Sequence, residues 1–153
     1  MTRNTLRTAA LVLTLMLTMI PMARAEGGDP AKACQAFWAD LAEKRYGDAW
    51  DALTEGSKGW IVSETAKAGK VSKEEVRALF DKHNEEVLNA FWNAFCEKMN
   101  PESIASLTYK AGPVQGDKCK VEVTGGDASK PIGLEMLREG GQWHFGLAET
   151  FMK

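Results

Sequence analysis

The chain has 153 residues, is 44% hydrophobic and 26% charged, and sets 19 basic side chains against 21 acidic ones for a formal net charge of −2. Lysines scattered among acids make no basic stripe for a phosphate backbone, so nucleic acid is not an expected partner. Five tryptophans and six phenylalanines supply enough apolar bulk for one domain built on a single core.

At the N-terminus, Arg3 and Arg7 precede an apolar run from Ala9 to Ile20, Pro21 breaks it, and Ala23-Arg24-Ala25 follows. That order is the pattern of a secretory signal peptide with cleavage between Ala25 and Glu26, and the run is short of the roughly 20 residues needed to span a bilayer. The expected organisation is a cleaved leader at residues 1–25 and one exported domain at residues 26–153, in the bacterial periplasm, with no membrane span after processing. Loss of Arg3, Arg7 and Arg24 would leave 16 basic against 21 acidic residues and a charge of −5.

Asp29-Pro30 is a helix start, with Asp as N-cap and Pro at the first helical position, and Cys34, Phe37, Trp38 and Leu41 follow at the spacing of an amphipathic helix. Gly47 breaks it. Tyr46, Ala49, Trp50 and Leu53 repeat the spacing in a shorter second helix that Gly56 and Gly59 end, and Trp60 to Gly69 reads as a connector. Ser72 with Glu75 forms a capping box for a long third helix, Lys73 to Met99, whose apolar stripe runs through Val76, Leu79, Phe80, His83, Val87, Leu88, Phe91, Phe95 and Met99 until Asn100-Pro101 stops it.

From Ser103 the period becomes two, with turn signals at Gly112-Pro113, Gly116-Asp117, Gly125-Gly126-Asp127 and Gly140-Gly141. Four strands are expected, about Ile104 to Ala111, Lys118 to Thr124, Ile132 to Arg138 and Gln142 to Phe151, and their short connections make an antiparallel meander. The predicted class is α+β: three N-terminal helices packed on one face of a curved four-stranded antiparallel sheet.

Two passages carry a family resemblance: Phe37 to Leu53, with its helix, Gly47-Asp48, Ala49-Trp50, Leu53 rhythm, and the ending Gly141-Gln142-Trp143-His144-Phe145. In them the chain resembles the nuclear transport factor 2-like superfamily, a cone-shaped α+β fold, and its small exported members of unknown function. A cystatin-like or other helix-on-sheet domain is the alternative. Enzymes of that superfamily, such as ketosteroid isomerase and scytalone dehydratase, place acids, histidines or tyrosines inside the cone, and the outer sheet surface often forms a dimer, so a homodimer through that face is one implied partner.

Strand alternation sets Cys119, Val121 and Val123, then Ile132, Leu134 and Met136, then Trp143, Phe145 and Leu147 on one face. That face offers no titratable group for general acid–base work. The opposite face is expected to hold Tyr109, Glu122, Glu135 and His144, with Leu137 beside Tyr109 as the start of an outer apolar patch. Weak catalytic candidates are His83, the polar residue of the helical stripe, and Glu135 and His144, which a one-residue register slip would turn inward. An apolar ligand pocket is expected from Trp38, Trp50, Phe91, Trp92, Val121, Leu134, Trp143 and Phe145, with simple core packing as the competing role for the same rings.

Oxidation outside the cytoplasm is expected to turn Cys34, Cys96 and Cys119 into one disulfide and one leftover thiol, with three pairings possible. Cys34 opens the first helix and Cys96 closes the third, so antiparallel helices on one sheet face would join Cys34 to Cys96, a bridge worth roughly 3–5 kcal/mol. Widely spaced cysteines and only His83 and His144 lack the paired spacing of a zinc site, and no metal or cofactor is expected. The sequence therefore favours a noncatalytic exported domain that binds a small apolar ligand or a protein partner, with a small isomerase, dehydratase or hydrolase-type enzyme as the alternative.

Overall fold

A computed structural model describes residues 27–126 and 130–152, so the expected leader lies outside the described residues. Helices come first: α1 Pro30–Ala42, α2 Tyr46–Asp51, α3 Glu55–Gly69, α4 Lys73–Asp81, α5 Glu85–Met99 and α6 Pro101–Ala105. Strands β1 Thr108–Gln115, β2 Lys118–Thr124, β3 Ile132–Glu139 and β4 Gln142–Gly146 follow, and α7 Leu147–Phe151 closes the order. The strands form one antiparallel sheet in the order β1-β2-β3-β4, curved and not closed, so the α+β class expected from the sequence is the one observed.

Asp29 caps α1 by accepting the Ala31 N–H, with Pro30 in the first turn. The apolar stripe of this helix, Cys34, Phe37, Trp38 and Leu41, is buried, and α1 touches all four strands. Against it stand Cys119, Val121, Val123, Leu134, Met136, Trp143 and Phe145, all buried. Rings continue the core outward. Phe145 stacks on Phe37 at 4.3 Å, Phe37 meets Trp92 at 6.0 Å, Trp92 meets Phe91 at 4.9 Å, Phe91 meets Phe80 at 6.1 Å, and Phe80 stacks on Trp50 at 4.5 Å. Edge-to-face and offset contacts of this kind add about 0.5–1.5 kcal/mol per pair beyond the area buried.

Three elements depart from the sequence reading. The expected connector at Trp60 to Gly69 belongs to α3, which Thr54 caps through its hydroxyl on the Ser57 N–H, so Gly56 and Gly59, expected to end the second helix, lie inside the third. The expected single helix from Lys73 to Met99 is two. His83 takes a left-handed φ of 52°, and Asn84 begins α5 afresh by accepting the Val87 N–H. Finally, β1 starts at Thr108 after a short helix, and β4 ends at Gly146, where a helix replaces the expected strand through Phe151.

Between α3 and α4, Arg77 bridges Glu55 at 3.0 Å and Asp81 at 2.8 Å. The Arg77 hydrogen bond holds the Glu55 carboxyl below its ordinary range. At Asp81 partial burial pushes upward, but hydrogen bonds from Arg77 and from the Trp50 indole N–H at 3.0 Å outweigh it, and this carboxyl is lowered too. Carboxyls depressed in the folded state stabilise above their unfolded pKa of about 4, and that contribution is lost as pH falls through the lower folded value. Both acids are well exposed, so solvent screening limits the sum to about 1 kcal/mol. Urea unfolding of the wild type and of Arg77→Ala is expected to differ by that amount at pH 6 and to converge near pH 2; a gap that widens on acidification would contradict the assignment.

Candidate functional site

The concave face of the sheet is filled. Trp38, Trp50, Trp92 and Phe145 are each 0% exposed, and Val121, Leu134 and Trp143 are buried with them in the same cluster. Seven of the eight residues expected to line a pocket are thus buried in the core, and Phe91 reaches a cavity wall. The indole N–H groups of Trp38 and Trp92 are buried with no hydrogen-bond partner among the described residues, which shows how little polar material this interior holds.

Phe91 opens onto a groove of about 470 Å³ between α3, α5 and α7. Helix α5 supplies Phe91, Phe95 and Met99 at four-residue intervals, one above another on one helix face; Trp60 comes from α3, and Leu147 and Phe151 come from α7. Ala90 and Ala94 lie beside the phenylalanines, where short side chains leave the space unfilled. The groove floor is sealed by Leu147, 1% exposed, whereas Phe151 and Met152 at its rim are 38% and 50% exposed. Lys98 is the single charged residue in the lining among the described residues.

Helix α7 has only five residues, too short to hold itself in place by helical hydrogen bonds alone, and a polar latch fixes it. Ser57 donates to Glu149 at 2.7 Å, Thr54 donates to it at 2.9 Å, and the Ala148 N–H donates to the Ser57 hydroxyl at 3.1 Å. Thr54 and Ser57 are themselves fully buried. Gly56 makes room for this carboxylate, since a Cβ there would meet Glu149 Oε1 at 2.7 Å. On the far side of the same helix, Thr150 accepts the Glu135 N–H at 2.9 Å, tying α7 to β3.

The catalytic candidates do not converge. His83 is not on a helical stripe but on the exposed turn between α4 and α5, with Nε2 3.1 Å from Asp51. Glu135 and His144 lie on the outer face of the sheet, where Glu135 pairs with Lys120 at 3.8 Å and its register partner is Gly146, two positions from His144. Tyr109 is a correction of face: it pairs with Val123 and so belongs to the inner side. Its hydroxyl donates to the Ile104 carbonyl at 2.7 Å, and burial, with Cys34 nearby, pushes its pKa up. Leu137 consequently has Lys118 and His144 as its register partners, with no tyrosine beside it.

The expected Cys34–Cys96 bridge is likewise not formed, and all three thiols are free. The break at His83 redirects α5, so Cys96 lies against Tyr46. Cys34 instead sits beneath the sheet near Cys119, and burial, then that neighbour, pushes its thiol pKa up to about 12. Burial also raises the pKa of Cys96 and Cys119, which keeps these thiols protonated and slow to react.

Among the described residues no group of three His, Cys, Asp or Glu side chains is placed to hold a metal ion, and no helix is long and apolar enough to cross a membrane. Comparison with protein-family models, with curated proteins and with solved structures returned no match.

Proposed function

We propose that the chain is a noncatalytic binding domain whose groove between α3, α5 and α7 takes a small apolar molecule. The groove carries this reading: about 470 Å³ of space lined by Trp60, Phe91, Phe95, Met99, Leu147 and Phe151 lies in the size range of small-molecule sites, and such sites are mostly apolar. The separation of His83 from Glu135 and His144 supports binding over acid–base catalysis, which needs its groups within hydrogen-bond reach of one substrate. Export of the domain, cleavage after Ala25 and membership of the nuclear transport factor 2-like superfamily belong to the same proposal, resting on the leader pattern and on the order of helices before a curved sheet. The outer sheet face is the weaker binding surface, because Lys118, Lys120 and Glu122 are exposed on it.

Ala94→Trp tests the groove directly. Ala94 is exposed on α5, so an indole there fills the space without entering the core. The neutral apolar reporter N-phenyl-1-naphthylamine is expected to bind the wild type with one site and to lose roughly ten-fold or more in affinity to Ala94→Trp, at an unchanged melting temperature. Equal affinity for both proteins, or no binding to the wild type, would sink the assignment.

A further inference from the structure

The charge at the groove narrows the kind of ligand. Lys98 lies in the last turn of α5, one turn beyond Ala94 and Phe95 and next to Met99, all of which line the same space. Among the described residues no acid shares that lining; the nearest acids along the helix and beyond it, Glu97 and Glu102, line a separate depression with Tyr46 and Cys96. Lys98 forms no ion pair among the described residues, although other exposed lysines, Lys67 and Lys120, do. A lysine stem lies along apolar surface while its ammonium stays at the water boundary, so an apolar channel with one unneutralised cation at its edge is matched by a molecule with an apolar chain and one anionic end.

We propose that the groove binds a free long-chain carboxylate, the chain lying along Phe91, Phe95 and Phe151 and the carboxylate meeting the Lys98 ammonium. This rests on the groove being the binding site. The chain's formal charge of −2 provides no long-range attraction for an anion, so the preference is local and modest, the size of a partly screened ion pair. Most of the affinity comes from burying methylenes against the rings, and Lys98 selects the head.

Calorimetric titration of the protein with dodecanoate, dodecanol and dodecyltrimethylammonium, each below its micelle concentration, separates these contributions. Dodecanoate is expected to bind roughly five-fold more tightly than dodecanol and the cationic amphiphile most weakly. Lys98→Ala is expected to bring dodecanoate level with dodecanol while leaving dodecanol unchanged, and Lys98→Arg to keep the preference. If dodecanol binds and dodecanoate binds no better, or if the preference survives in Lys98→Ala, the carboxylate assignment is overturned and the apolar groove stands. Failure of all three to bind overturns both.

Discussion

Glu149→Ala is expected to lower the free energy of unfolding by about 3 kcal/mol. Hydrogen bonds to a charged acceptor contribute roughly 1.5–3 kcal/mol each, and a buried hydroxyl left without its acceptor costs about 1–3 kcal/mol. Here two fully buried hydroxyls, on Thr54 and Ser57, give their protons to the one carboxylate. They can partly rescue each other, since the Thr54 and Ser57 oxygens are 2.7 Å apart, so the two losses do not simply add. Glu149→Gln keeps one carbonyl acceptor and is expected to cost about half as much. Equilibrium urea unfolding measures the loss, and hydrogen exchange at the Ala148 amide, which the Ser57 hydroxyl now accepts, reports whether α7 has loosened. Wild-type stability in Glu149→Ala would mean that the latch is held by packing alone, with Leu147 as its anchor.

Phe145→Ala is expected to be costlier still, about 3–5 kcal/mol, the range for deleting a buried phenyl ring when its surroundings cannot collapse. Phe145 is 0% exposed, stacks on Phe37 and lies 5.7 Å from Trp38. Its neighbours, the Phe37 phenyl and the Trp38 indole, are rigid rings anchored on α1 and are poorly able to move into the void. Domains of this size have about 5–15 kcal/mol in total, so the variant sits near the edge of folding at ambient temperature. Phe145→Leu, which keeps much of the volume, is expected to lose far less. A free energy of unfolding for Phe145→Ala within about 1 kcal/mol of the wild type, from chemical denaturation, would show that the ring cluster repacks freely, contrary to its close-packed geometry.

Where local signals agreed with tertiary structure, the sequence could be read directly. Asp29-Pro30 started α1, the Ser72–Glu75 capping box started α4, and the clean alternation of Lys118 to Thr124 placed Val121 and Val123 in the core. The errors have identifiable causes. Helix α3 has almost no apolar face to betray it, and two glycines in its first turns mask the Thr54 cap; Gly69 is its last residue, and the left-handed cap beyond it falls on Lys70. The stripe through His83 looked continuous because the apolar residues of α4 and α5 resume at helical spacing after a break that a single residue at positive φ creates.

Tyr109 lies on the inner face, against simple alternation, because the Gly112-Pro113 pair sits at a register shift within β1. Counted from the turn with Val114 opposite Cys119, Tyr109 would face Thr124, but the one-residue shift between Ala111 and Val114 moves it to Val123. The groove was the least legible feature of all. Three of its lining residues, Trp60, Leu147 and Phe151, come from helices that periodicity did not reveal, so Phe91 was recognised while the surface it helps to build was not.

The same register shift bears on how an edge of the sheet is protected. An open sheet has two edges, and unpaired N–H and C=O groups along an edge are a template for strand addition and fibre growth. At one edge, Pro113 has no N–H to offer and the irregular register bends β1 away from a straight pairing line. At the other, the segment after α2 lies alongside β4: Thr54 donates to the Phe145 carbonyl at 3.1 Å, and the Phe145 N–H donates to the Ala52 carbonyl at 2.8 Å. That single parallel bridge, Leu53 to Phe145, occupies the outward backbone groups of Phe145, so a second chain could not pair along the full length of β4, and each edge is interrupted at one point as a template for ordered aggregation.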